Sequence, residues 1–433
     1  MAMKKILLHT ILFLTLGISS VKAQQNLPAV WTLQDCIEYA KANNISISSL
    51  RLSQQSAGQD LVLSKASRLP SLSANVSQSL ASTSKGFSPA SGYGISSDMV
   101  IYNGGFINND IVQKQLSVQS AGLNVMQQQN DITLQITQAF YNIALAKENL
   151  QYVKDLVATS EAQVNRGEEL YKAGSIAKKD LLQLQAVLAN DQYNLVTAQN
   201  TERQYRLNLQ QLLQLSSGTA FDIATPDTAS TAVQVIPLPQ AQQNALTSMP
   251  EIANSKLGVD IAELHLEKAK AGSRPTISIG AGINTNYNNT AGYAYPKALG
   301  TNLYQQVGIT LSIPIFNRKT TQVNVAKAKI NIEQANLDVA NTKLTLMQQV
   351  EQAYLNLVNA QGQYAAASSQ LNYSREAFRI ANEQLRLGSY NITDYMQQRN
   401  LYVQALQSYV QAKYTTSLNE KIYNFYNGVP VTQ

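Results

Sequence analysis

Cysteine is nearly absent from this chain: Cys36 is the only one in 433 residues. No disulfide can form within the chain, so the fold must be held by packing. Histidine is almost as scarce. His9 lies in an N-terminal stretch expected to be removed, which leaves His265. A multi-histidine metal site is thereby excluded, and a catalytic triad would rest on a single residue. A clustered basic face is missing too. Without the first 23 residues the formal charge falls from +6 to +3, with 30 basic and 27 acidic side chains, which is no nucleic-acid footprint. After residue 23 no apolar run is long enough for a transmembrane helix, so entry into a membrane would require a β-barrel. No constellation of acids, bases or ligands suits catalysis, and no cofactor or metal is expected.

The N-terminus carries the marks of export. Lys4 and Lys5 precede an apolar run from Ile6 to Ser20, and Val21-Lys22-Ala23 ends in a small residue suited to signal peptidase. Residues 1–23 therefore read as a signal peptide, with a mature start at Gln24. No cysteine stands at that junction, so lipidation is not expected.

The rest of the chain repeats itself. Gln138-Ala139-Phe140-Tyr141-Asn142 returns as Gln352-Ala353-Tyr354-Leu355-Asn356, and Ile101-Tyr102-Asn103 as Ile315-Phe316-Asn317, both at an offset of 214. Leu170-Tyr171-Lys172-Ala173-Gly174-Ser175 matches Gln384-Leu385-Arg386-Leu387-Gly388-Ser389, and Asp180 matches Asp394. Upstream, Pro70 and Pro275 pair at an offset of 205, the lost nine residues fitting a longer loop between 287 and 303. So long a period predicts internal duplication rather than a solenoid. The expected organisation is a first repeat over 24–215, a Ser-, Thr- and Pro-containing linker over 216–240, and a second repeat over 241–433.

Each half predicts a helix, two strands, a long helix and a return helix. Thr32 with Asp35 makes an N-cap signature for a helix from 33 to about 67; its partner is expected over about 241–271. Leu72, Ala74, Val76 and Leu80 alternate with polar residues, as do Tyr93, Ile95, Met99 and Ile101 after a Ser/Gly/Pro loop at 82–92. The second half alternates through Ile277, Ile279, Ala281 and Ile283, then from Val307 to Ile315. Tyr287, Tyr293 and Tyr295 sit where an aromatic belt would lie. After Asn103-Gly104-Gly105 a helical pattern runs to about Lys172, roughly 100 Å. Its seams are heptads: Ile136, Ile143, Leu150, Val157 and Val164 beside small residues such as Ala139, Ala146, Ser160 and Gly167. Val350, Leu357, Tyr364, Leu371 and Phe378 repeat the rule beside Ala353, Ala360, Ala367 and Ala381. Val323, Ile330, Leu337 and Leu344 extend the heptad spacing upward, with a slip in register before Val350. The Gly174-Ser175 and Gly388-Ser389 steps turn the chain back into return helices. Faces rich in Gln and Asn, such as 127–130, fit simple solvation or a water-filled lumen.

Four strands cannot close a barrel, and an open sheet edge is forbidden in hydrocarbon. Three chains would supply twelve strands and close one. The expected fold is mainly α with β: duplicated, long coiled-coil hairpins forming a trimeric α-barrel beneath a twelve-stranded outer-membrane β-barrel, four strands per chain.

The opening Leu33-Gln34-Asp35-Cys36-Ile37-Glu38-Tyr39-Ala40, the Pro70 and Pro275 strand entries, Pro314-Ile315-Phe316-Asn317 and the two tips resemble the TolC-like outer-membrane efflux proteins over essentially the whole mature chain. The resemblance implies a homotrimer in the outer membrane of a Gram-negative bacterium, with a long periplasmic extension. It would act as a passive exit duct for efflux or type I secretion, docking a periplasmic adaptor fed by an inner-membrane pump of RND, ABC or MFS type. It places Asp180 and Asp394 at a constricted, cation-attracting mouth. Lys178, Lys179, Arg386 and Tyr390 are the other gate candidates. Tyr390 stands where a basic partner would be expected and Gln397 where a second acid would be, which departs from a tightly salt-bridged gate. Gly174, Ser175, Gly388 and Ser389 are the expected adaptor contacts. A first-turn carboxylate favoured by the helix dipole, and a turn that needs glycine for its φ, account for the same residues without any gate. A trimeric coiled-coil stalk or adhesin without a pore is the alternative function; it leaves the strands unexplained.

Overall fold

The computed structural model describes residues 30–83, 86–216, 220–226, 235–288, 294–387 and 391–431; the signal peptide and Gly388-Ser389-Tyr390 lie outside them, as does Tyr293. In chain order the elements are β1 (Val30–Trp31), α1 (Leu33–Asn43), α2 (Ile45–Ala66), β2 (Ser73–Thr83), β3 (Gly86–Asn103), α3 (Phe106–Lys172) and α4 (Lys178–Leu212). There follow β4 (Asp222–Ile223), α5 (Leu238–Ser248), α6 (Pro250–Ala271), β5 (Thr276–Asn288), α7 (Tyr295–Thr301), β6 (Tyr304–Ser312), α8 (Thr320–Arg386) and α9 (Ile392–Tyr426). Helices of 11, 22, 67 and 35 residues occur twice in that order.

The single opening helix expected at each start is two helices. Thr32 caps α1 as expected: the Asp35 N–H donates to Thr32 Oγ1 at 3.2 Å, and the Thr32 N–H to the Asp35 carboxylate at 2.9 Å. The helix then breaks at Asn44, whose backbone is extended and whose side-chain oxygen accepts from the N–H groups of Ser46 and Ile47. Asn44 is a second N-cap inside what reads as one helical run. In the second half Met249 takes the same place, because Pro250 has no N–H to continue α5 and is suited to the first position of α6.

The four long strands form one antiparallel sheet in the order β2-β3-β5-β6. Of the loop expected at 82–92, the described residues are strand: β2 and β3 pair through to Thr83 and Gly86. Pro89 is tolerated there because β5 begins to pair only at Ala90, so Pro89 has one strand neighbour. Conversely β6 stops at Ser312 rather than running to Ile315, since Pro314 cannot donate to the ladder. A bulge between Val100 and Tyr102 drops Ile101 from the pairing. The registers put Ala74, Val76 and Leu80 on the same face as Ile95, Ile277, Ile279, Ile283, Val307, Ile309 and Leu311. The other face carries Ser73, Asn75, Ser77, Gly94, Ser96, Ser278, Gly280, Gly282, Gln306, Gly308 and Thr310. One side is mainly apolar and the other mainly polar, with Gln78, Ser97, Thr285 and Gln305 as polar positions on the first and Val100 as an apolar one on the second. Within the chain, β2 and β6 each have one partner and one open edge. Among the described residues no helix is long and apolar enough to cross a membrane.

Beneath the sheet the helices lie in a row, α2 against α3, α3 against α6, and α6 against α8. Farther from the sheet, α4 continues on α3 and α9 on α8, with α9 touching α3. The heptad seams are the contact lines here. Ile136, Ile143, Val157, Val350, Leu357 and Leu371 are buried, with Ala146, Ala353, Ala360 and Ala367 giving the close approach. Each buried large side chain is worth roughly 1.5–3 kcal/mol. The upper row behaves differently. Val323, Ile330, Leu337 and Leu344 are all exposed, because α8 meets α6 with another face above the register slip. The main core forms where β1, α1 and β4 wrap the middle of α3, around Trp31, Cys36, Phe140, Leu209 and Phe221. Burial pushes the Cys36 thiol up to about 12, so it stays protonated.

The two turns from sheet to long helix differ in one respect. Gly104 and Gly105 are left-handed, with φ of 67° and 88°. At the offset of 214 the same conformation is held by Arg318 and Lys319, at 53° and 65°. A side chain there costs roughly 1–2 kcal/mol per residue that glycine avoids.

Candidate functional site at the hairpin tips

The first tip is built by helix termination. Gly174 has φ of 73° and closes α3: its N–H donates to the Tyr171 carbonyl at 2.9 Å, and the Ser175 N–H to the Leu170 carbonyl at 2.8 Å. These two bonds satisfy carbonyls the helix leaves unpaired. Nothing lies within 4 Å of where a Cβ on Gly174 would sit, so φ alone demands glycine. Ala177 starts α4 without a side-chain cap, and Asp180 stands in the first turn, half-buried. At the second tip Asn391 caps α9 by accepting from the Thr393 N–H at 2.8 Å, and Asp394 lies in the first turn, exposed. Both carboxylates occupy the position the helix dipole favours.

A groove of about 590 Å³ separates the tips. Arg166, Gly167, Ser175, Asp180, Arg386 and Asn391 line it, over a floor that includes Leu170, Ile176, Leu184, Leu385 and Ile392. The structure thus brings Asp180, Arg386 and Ser175 together. It leaves Asp394, Lys178 and Lys179 on the exposed surface away from that groove. Arg386 is held by its own turn, donating from Nε to Glu383 at 2.8 Å, while its carbonyl accepts from Arg166 at 3.3 Å. Gln163 donates to Asn382 at 3.2 Å.

A buried link between the hairpins lies one step higher and involves residues that sequence reasoning did not single out. Arg399 of α9 pairs with Asp191 of α4, and Ser160 of α3 hydrogen-bonds both, its contact with Arg399 at 3.1 Å. The ion-pair side chains are 6 % and 5 % exposed. Val164, Leu184, Ala381, Tyr395 and Met396 form an apolar cluster beside them, and Phe378 stacks on Tyr402 at 5.1 Å. A signal was available. At the offset of 214, Asp191 corresponds to Ala405, a fully buried position. An acid in a station the other half fills with buried alanine calls for a partner.

A long helical body bearing an amphipathic sheet defines the class: an outer-membrane duct protein. The chain belongs to the outer membrane efflux protein family, whose profile matches residues 36–214 and 241–421. It is similar to the outer membrane efflux protein BepC of Brucella suis, 21% identical over 396 residues that cover 88% of this chain and 82% of that protein. It is also similar to the outer membrane protein TolC of Vibrio cholerae, 21% identical over 89% of this chain and 88% of that protein. The crystal structure of CusC shares the fold, with a TM-score of 0.81 at 20% identity, covering 92% of each chain. Membership makes this protein an outer-membrane exit duct of the efflux and type I secretion class, in a Gram-negative envelope.

Proposed function

We propose that three copies assemble into a passive conduit, with twelve strands closing a barrel in the outer membrane above a helical tunnel through the periplasm. The carrying observation is the sheet: one face apolar, one face polar, and two open edges that a single chain cannot shelter from lipid. Exposed apolar side chains at the two ends of the helix row support the same closure. Ile45, Leu52, Val62 and Leu63 on α2 would meet Val323, Ile330, Leu337 and Leu344 on α8 of the next copy. The recurrence of four helix lengths, and the unmatched residues 215–240, support an internal duplication joined by a linker. A coiled-coil stalk would have no use for the two-faced sheet.

The tips are the proposed periplasmic mouth. Asp180 and Asp394, with Lys178, Lys179, Arg386 and Tyr390, set its charge, and Gly174, Ser175, Gly388 and Ser389 meet an adaptor coupled to an inner-membrane pump. Threefold repetition of each aspartate would concentrate negative potential at a constriction. The chain then conducts and does no chemistry of its own. Native mass spectrometry from mild detergent, with conductance in planar bilayers, tests the assembly. A three-chain particle that conducts is expected; a monomer with folded strands and no conductance would overturn the reading.

A further inference from the structure

We propose that a cleft where sheet meets tunnel binds an anionic phosphate-bearing group. A cavity of about 970 Å³ lies between the membrane ends of α6 and α8, and its lining includes Lys268, Arg318, Lys327 and His265 but no carboxylate. Lys268 is already engaged: its ammonium donates to Asp110 at 2.5 Å and to Gln113 at 2.8 Å, and sits 4.9 Å over the Phe106 ring. His265 shares a hydrogen bond with Gln113, and burial together with the charge of Lys268 lowers its pKa, which favours the neutral imidazole. Neither the Arg318 nor the Lys327 side chain has an ionic or hydrogen-bonding partner among the described residues. Two solvent-exposed cations thus border a roomy cleft, with no counter-ion from the described residues of a single chain.

The backbone supports a use for that charge. Arg318 and Lys319 hold the left-handed conformation that Gly104 and Gly105 hold in the other half. Strain of this kind persists where something offsets it, and a ligand is one such thing. Guanidinium and ammonium groups are the usual partners of phosphate oxygens. The level in the fold suggests where the phosphate comes from. Ile313 and Ile315 carry on the odd-numbered apolar alternation of β6, Ile315 being 97 % exposed, and Arg318 follows three residues later. Basic residues at that boundary suit the headgroups of the periplasmic leaflet. A soluble phosphate-bearing solute has the same chemistry. The lipid source rests on the barrel reading; the soluble source does not.

The test compares the wild type with Arg318→Gly/Lys319→Gly and with Lys327→Gln, using Lys343→Gln, an exposed lysine lower on α8, as the control. Protein is placed in nanodiscs of phosphatidylcholine alone or with phosphatidylglycerol, or titrated with inorganic phosphate at matched ionic strength. Native mass spectrometry and melting are read together. Phosphatidylglycerol retention and a raised Tm in the wild type and control, falling at least tenfold in retention in the cleft variants, assign a lipid headgroup. The same pattern with inorganic phosphate, whatever the lipid, assigns a soluble ligand. The glycine variant relieves backbone strain, so it should melt no lower than the wild type without ligand; loss of binding is then not misfolding. Equal responses of wild type and cleft variants to both probes, or an equal loss in Lys343→Gln, would overturn the proposal. The same spectra report chain number, so failure of the three-chain assembly is seen separately.

Discussion

Removing Asp191 should loosen the two hairpins from each other far more than its surface neighbours would suggest. Asp191→Ala leaves the Arg399 guanidinium, 6 % exposed, with only the Ser160 hydroxyl. Taking one partner from a buried ion pair costs about 3–5 kcal/mol, most of it the penalty of the charge left behind. At about 1.4 kcal/mol per tenfold, that corresponds to roughly two to three and a half powers of ten in local opening. Hydrogen exchange read by mass spectrometry should show it as lost protection in peptides spanning 155–165, 187–195 and 395–403. The double variant Asp191→Ala/Arg399→Met removes both charges and approaches the apolar packing around Ala405. It should recover most of the protection, since apolar replacement of a buried pair is often neutral. Unchanged exchange in the single variant, or a double variant as open as the single one, would refute the assignment of this pair as the clasp between hairpins.

Other consequences are measurable. Gly174→Ala should destabilise the first tip by about 1 kcal/mol, seen as faster exchange at 170–177, because φ is 73° while space is free. A neutral effect would mean the turn relaxes. Asp394→Ala should lower cation selectivity of the reconstituted pore, and an unchanged reversal potential would remove Asp394 from the lumen. Burial raises the carboxyl of Glu251 above its ordinary 4.5, with the nearby Asp131 charge adding to the shift. A raised acid binds protons more readily when folded, so this contribution is fully present below 4.5 and is lost as pH rises through the folded value. Glu251→Gln should therefore melt higher than the wild type at pH 7, with the gap closing on acidification; a gap independent of pH would deny the shift.

Much of this architecture is legible in the residues because its signals are long. Heptads through the lower part of each 67-residue helix, and an offset of 214 that holds without a gap over residues 101–213, are hard to mistake. What escapes is short or competes with composition. Asn44 reads as one more polar helix residue until its side chain is seen capping Ser46 and Ile47. Pro250, its counterpart, is a break signal in plain view, yet the helix expected over about 241–271 runs through it. The Ser/Gly/Pro run at 82–92 reads as loop, yet Gly92 and Gly94 are sheet positions where Ser77 and Asn284 occupy the space a Cβ would need. At the tips, the aspartates are visible by position. The Asp191 and Arg399 clasp shows in the sequence only as the mismatch of Asp191 with Ala405; its partner does not, since Arg399 alone is an ordinary helix charge and only the fold brings the two together across 208 residues.

That clasp has a bearing on symmetry. Six identical hairpins around a bore would be forced to carry the same side chain at every equivalent post. A chain that contains both versions is free of that constraint: Asp191 can be anchored to Arg399 while Ala405 stays plain. In a ring of three such chains the wall would alternate between tethered and untethered posts, so any movement at the mouth would inherit a threefold rather than a sixfold pattern.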